Sequence, residues 1–138
     1  MSPKEECEVL MNELISFGKK ILKKQGEFYP FGGVMYIDES TSLLGFHGGD
    51  ESPDSKDVMD GLIEACKQLI INNEIKSSGI VWNASVITAN GEETDAILIS
   101  LEHKDEYSVK VAYTYKKGLF KRFKWGELVA LNGDKNIF

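Results

Sequence analysis

Positive charge is in short supply in this sequence. Sixteen Lys and Arg stand against twenty-two Asp and Glu, a formal net charge of −6. That balance argues against a general nucleic-acid binder, because phosphate contacts need clustered cations. It suits a basic protein partner, although a solvated acidic surface is its commoner meaning. Cysteine is scarce too: Cys7 and Cys66 both fall on apolar positions of helical patterns. They read as free buried thiols, and the lack of a disulfide framework fits a reducing cytosol. No stretch approaches the roughly 18 apolar residues of a membrane span. No apolar N-terminal run follows a basic start, so no signal peptide is expected and the expected location is cytoplasmic. Internal repeats and low-complexity segments are missing as well.

Motif chemistry is equally sparse. The chain has no Gly-rich loop ending in Lys-Ser/Thr, no dinucleotide fingerprint, no His-Glu-x-x-His and no Cys-x-x-Cys. Gly48-Gly49 is too short, and too acidic in its surroundings, to cradle a phosphate. A metal site would require His47 and His103 to converge with carboxylates such as Asp38 or Asp50. Neither a metal nor any other cofactor is expected.

What is present points to a small α+β domain. From Gly79 to Lys104, two runs of alternating residues flank Asn90-Gly91. Ile80, Trp82, Ala84 and Val86 alternate with Val81, Asn83, Ser85 and Ile87, the period-two pattern of a strand. Asn-Gly suits the two positive-φ positions of a type I′ hairpin turn. The return run from Thr94 to His103 is apolar on both sides at its middle, which predicts a central strand with something packed on each face.

The remaining elements follow from caps and periodicity. Ser2-Pro3-Lys4-Glu5 predicts a helix start, and Cys7, Leu10, Met11, Leu14, Phe17, Ile21 and Leu22 form one stripe that ends near Gly26. Strands are expected from Gly33 or Val34 to Ile37, and from Leu43 to His47. A second helix is expected from Asp54 or Lys56 to Asn72, after which Ser77-Ser78-Gly79 punctuates the passage into the central hairpin. Ser108–Tyr115 and Leu119–Trp125 read as further strands, and Glu127–Gly133 suits either a short helix or an edge strand. The expected fold is one domain over residues 1–138, with two helices packed on one face of an antiparallel sheet of five to six strands, in the order α-β-β-α-β-β-β-β.

Candidate functional residues are few. Phe28-Tyr29-Pro30-Phe31-Gly32-Gly33 is the most distinctive local feature. It reads either as a helix-to-strand connection sealing the core edge or as an aromatic patch for a partner, with Tyr29 and Phe31 as contacts. The acidic stretch from Asp38 to Asp57 offers Asp50, Glu51 and Asp54 to a basic partner. Glu102 and His103 sit at a strand end, where a pocket against the aromatic segment would hold a small ligand or a catalytic pair. Lys116, Lys117, Lys121, Arg122 and Lys124 interleave with Phe120, Phe123 and Trp125. A charged edge strand explains them more cheaply than stacking on single-stranded nucleic acid.

Gly26-Glu27-Phe28-Tyr29-Pro30-Phe31-Gly32, with Thr94-Asp95-Ala96-Ile97 and Leu101-Glu102-His103, resembles a group of small uncharacterised bacterial proteins. By size, charge and architecture alone the chain also resembles immunity proteins that neutralise secreted bacterial toxins. The resemblance carries over no catalytic residue; the lack of a convergent catalytic set, with the acidic stretch from Asp38 to Asp57 beside the aromatic segment, points to a non-enzymatic cytosolic binding protein, an immunity-type inhibitor being one form of it. Two alternatives stay open: an enzyme or small-ligand protein with a pocket at Glu102 and His103, and a self-associating module that buries its second sheet face in a homodimer.

Overall fold

This computed structural model describes residues 1–45, 55–118, 122–133 and 137–138. Helix α1 (Pro3–Gln25) starts at a capping box. Ser2 Oγ accepts from the Glu5 backbone N–H at 3.2 Å, and the Glu5 carboxylate accepts from the Ser2 N–H at 3.4 Å. Gly26 ends the helix at φ 81°, a left-handed conformation open to glycine, and its N–H returns to the Leu22 carbonyl at 2.8 Å. Strands β1 (Phe31–Tyr36) and β2 (Thr41–Leu44) form a hairpin, and helix α2 (Ser55–Ile71) follows. Strands β3 (Ile75–Ile87), β4 (Glu93–His103), β5 (Tyr107–Lys117) and β6 (Phe123–Asn132) then run as a meander. The fold is α+β: the described residues form two helices and one antiparallel sheet of six strands, ordered β2-β1-β3-β4-β5-β6.

The helices lie on opposite faces of the sheet, not on one face as expected. Cys7, Leu10, Leu14 and Leu22 of α1 pack with Phe31, Val81, Ile97, Ile99 and Leu101. Val58, Leu62 and Cys66 of α2 pack instead with Val34 and Ile80, which point the other way along the same strands. Topology forces the split. β1 pairs antiparallel with both β2 and β3, so those two run parallel on either side of it. Parallel strands need a crossover connection, and α2 supplies it across one face of β1. Helix α1 takes the free face. Mid-sheet strands with two apolar sides are thereby buried on both.

How closely α1 sits is set by two glycines. Gly33 of β1 and Gly79 of β3 are directly paired in the register. A Cβ at Gly79 would come within 2.5 Å of Leu14 Cδ1, and one at Gly33 within 2.7 Å of Leu14 Cδ2. The paired glycines make a gap in the side-chain layer, and Leu10 and Leu14, both fully buried, sink into it.

Three local expectations need correction. Ser77-Ser78-Gly79 is no connection but the interior of β3, which starts at Ile75, because small residues are what a closely packed helix requires there. The turn after β3 is not type I′. Gly91 alone has positive φ, at 80°, and its N–H bonds to the Thr88 carbonyl at 2.9 Å, giving a longer loop with glycine in the left-handed position. The final strand lies later than Leu119–Trp125: β6 takes in Glu127–Asn132, so the ambiguous tail is an edge strand paired with β5.

The close approach predicts energetic coupling. Leu14→Ala should cost about 2–5 kcal/mol, and Gly79→Ala about 1–3 kcal/mol through overpacking. Because alanine at position 14 makes room for the new Cβ, the double variant should lose at least ~1 kcal/mol less than the sum. Urea unfolding of the four proteins gives the cycle, and strict additivity would contradict the packing described.

Candidate functional site

Glu102 and His103 are neighbours on β4, so their side chains leave opposite faces of the sheet, and both are buried. His103 lies on the α1 face. Its Nδ1 accepts the Asp105 backbone N–H at 3.0 Å, which leaves Nε2–H to donate to Glu6 Oε1 at 3.2 Å. The other Glu6 oxygen is paired with Lys76, which also reaches Glu39 at 3.4 Å. Glu6 comes here because it stands four residues before Leu10, in phase with the apolar stripe of α1. The result is a buried chain of lysine, carboxylate and imidazole that ties the first turns of α1 to β3 and β4. Burial pushes the Glu6 carboxyl up, but bonds and charge from Lys76 and His103 outweigh it and hold it below its ordinary value. The Lys76 ammonium is raised, chiefly by its bond to Glu6.

On the α2 face, Glu102 Oε1 accepts the backbone N–H groups of Ile137 and Phe138 at 3.1 and 3.3 Å, pinning that segment over the sheet. Ser78 is paired with Glu102 in the register, and Ser100 lies two residues before it on the same face. The hydroxyls of both are buried without a hydrogen-bond partner among the described residues, as is that of Ser77 on the α1 side. Burial, aided by the charge of Glu6 and then Glu8, pushes the Cys7 thiol up to about 12. Burial and Glu102 do the same for Cys66, again to about 12. Neither thiol is a nucleophile at neutral pH.

The aromatic segment divides. Phe28 and Phe31 turn inward, their rings meeting edge-on at 5.3 Å, and Phe31 meets Phe17 of α1 at 5.1 Å. Tyr29 points outward and is 49% exposed. Neither Tyr29 nor Phe31 borders the hollow at Glu102 and His103. The hollow beside Glu102 and His103, about 220 Å³, is walled by Lys104, Glu106, Tyr107 and Phe138, with no residue of the aromatic segment. Asp50, Glu51 and Asp54, with His47, lie outside the described residues. Among the described residues no group of three or more His, Cys, Asp or Glu could hold a metal ion. No described helix is long and apolar enough to cross a membrane.

In the cationic segment Lys116, Lys117, Arg122 and Lys124 are exposed, while the rings of Phe123 and Trp125 pack against the α1 core. Phe123 and Trp125 stack on each other, Tyr115 meets Phe123 edge-on and Trp125 at a tilt, and Lys19 from α1 sits 4.7 Å from the centres of the Tyr113 and Trp125 rings. Phe120 and Lys121 lie outside the described residues.

The β1–β2 hairpin is one of the surfaces where apolar side chains are exposed. Ile37 and Leu43 stand exposed there, with Asp38 and Glu39 at the turn. Asp38 accepts both the Ser40 hydroxyl, at 2.6 Å, and the Ser40 N–H, at 3.0 Å, and these bonds hold its carboxyl below the ordinary value and charged. Glu13 of α1 accepts the Thr41 hydroxyl at 2.5 Å beside them. Sequence reasoning missed Glu6 and Lys76. The signal for Glu6 was a carboxylate in helical phase with buried leucines; Lys76 has none, since it reads as a loop residue until β3 is known to begin at Ile75. The chain matches no protein-family model, and no curated protein or solved structure is significantly similar to it.

The buried chain of charges makes stability depend on pH. The Glu6 contribution is present above its ordinary value of 4.5 and is lost as pH falls through the lowered folded value. The Lys76 contribution is present below its ordinary 10.5 and is lost as pH rises through the raised one. Glu6→Gln should therefore lower the melting temperature near neutrality and flatten its fall between about pH 5 and pH 3. Melting curves across that range that decline as steeply as the parent's would count against the pairing.

Proposed function

We propose that this protein is a non-enzymatic binding protein that covers a basic surface of another protein, in the manner of an immunity-type inhibitor of a bacterial toxin. The observation that carries this reading is where the chain spends its reactive groups. Both His103 nitrogens, one Glu102 oxygen and both thiols are committed to the interior. What stands in solvent on the β1–β2 hairpin is aliphatic and acidic: Ile37 and Leu43 beside Asp38 and Glu39. The sequence continues acidic through Asp50, Glu51 and Asp54. An apolar centre with a charged rim is the composition of a protein interface. Carboxylates of one sign speed encounter with a basic partner and fix its orientation. The net charge of −6 and the resemblance to small bacterial proteins support the same reading, with the cytoplasm as its place of action.

The experiment is a binding measurement with the product of the neighbouring reading frame, the partner an immunity role demands. A complex should form whose association rate falls about tenfold or more between low and high salt. Reversing charge at Asp38, Glu39, Asp50, Glu51 and Asp54 should slow association and remove most of that salt dependence. Turnover of a small substrate by the isolated chain, or association indifferent to those reversals, would overturn the proposal.

A further inference from the structure

Among the described residues two carboxylates are buried, Glu6 and Glu102, and they are treated differently. Glu6 is met by Lys76 and by His103. Glu102, 2% exposed, has no lysine, arginine or histidine nitrogen of the described chain within ion-pair distance. Its Oε1 accepts the N–H groups of Ile137 and Phe138, and its Oε2 takes no hydrogen bond from the described residues. Taking a carboxylate out of water without a positive partner is costly, so Glu102 is short of one.

Glu102 also borders open space. It and Ser108, its mate in the register on the α2 side, wall the hollow of about 220 Å³ together with Phe138 and with Lys104, Glu106 and Tyr107, where the chain turns from β4 into β5. On the same face the hydroxyls of Ser78 and Ser100 are buried without a partner among the described residues. This corner of the sheet thus holds more polar groups than the described chain satisfies. Such groups in a folded protein are met by water or by a ligand.

We infer that this hollow binds a small organic primary ammonium, with its charged end on Glu102. The charge of the walls selects the sign. Glu102 and Glu106 stand against Lys104 alone, and both ring nitrogens of His103 are taken within the fold, so an anion would meet more repulsion than attraction. A metal ion is poorly served, since no group of three or more His, Cys, Asp or Glu among the described residues could hold one. An ammonium asks for less: it is a compact donor of three hydrogen bonds, which the free Glu102 oxygen and the Ser108 hydroxyl begin to satisfy. Tyr107 and Phe138 bring aromatic residues to the wall, suited to a short apolar body and to a cation beside it. The hollow is smaller than the about 300 Å³ at which pockets for drug-sized molecules begin, so the body is a few carbons long. Binding is non-covalent and uses no residue of the β1–β2 hairpin, so this inference is independent of the partner-binding role.

Titration of the isotope-labelled full chain with n-butylammonium, followed by the NMR shifts of its backbone amides, tests it. The shifts should saturate in the millimolar range and centre on Glu102, Ser108 and Phe138. The alcohol n-butanol, of the same size without the charge, should bind about tenfold more weakly or worse. Glu102→Gln keeps an oxygen for the Ile137 and Phe138 N–H groups while removing the charge, and should weaken binding by about tenfold or more. Ser108→Leu fills the hollow and leaves Glu102 in place, and should abolish the shifts even if Glu102→Gln fails to fold by circular dichroism. No saturable shift by about 100 mM n-butylammonium, shifts centred elsewhere, equal binding of n-butanol, or binding that survives either folded variant would each overturn the inference.

Discussion

Everything in this fold depends on how near α1 can come to the sheet. Gly33 and Gly79 face each other across β1 and β3, and the space their side chains would fill is occupied by Leu10 and Leu14. Apolar contact falls off steeply when surfaces part by even a fraction of an ångström. A helix held off by two methyl groups would forfeit much of its packing on Val81, Ile97 and Ile99. The same depth brings Glu6 within reach of His103 and Lys76. The glycines thus set the distance, and the polar chain fixes where along the sheet the helix lies.

That polar chain is an economical use of groups that resemble a catalytic set. A carboxylate beside an imidazole is the usual way to orient a general base. Here the free nitrogen is taken by the Asp105 N–H, and the ring is closed off from solvent. Glu102 reads the same way on the other side, where its oxygen holds the backbone of Ile137 and Phe138. Removing one partner from such a buried group leaves the others uncompensated, so each holds the rest in place. Among the described residues the buried polar chemistry serves placement.

Much of this was legible in the residues. The Ser2–Glu5 box, the stripes of both helices and the alternation of β3, β4 and β5 each follow from short-range rules and stand where those rules put them. The placement of the helices was not legible, since strands apolar on both sides say that two covers exist without saying which cover is which. Connectivity decided it: α2 had to cross β1 between two parallel strands. Ser77-Ser78-Gly79 misleads for a related reason. Small residues mark turns when read locally, but here they mark the place where another element comes closest. Glu127–Asn132 was ambiguous because its apolar residues follow no clean period, as befits a strand with solvent along one side.

The position of β3 between β1 and β4 also governs the order in which the molecule can assemble. β3 through β6 are joined by short turns and pair with sequence neighbours, so that half gathers by local contacts alone. β1 must wait for β3, which lies beyond the whole of α2, to complete its pairing. Helix α1 precedes every strand it rests on, so it has no greasy surface to rest on until the meander exists. Until then its leucine side is a transiently exposed apolar surface, the kind that favours aggregation over folding.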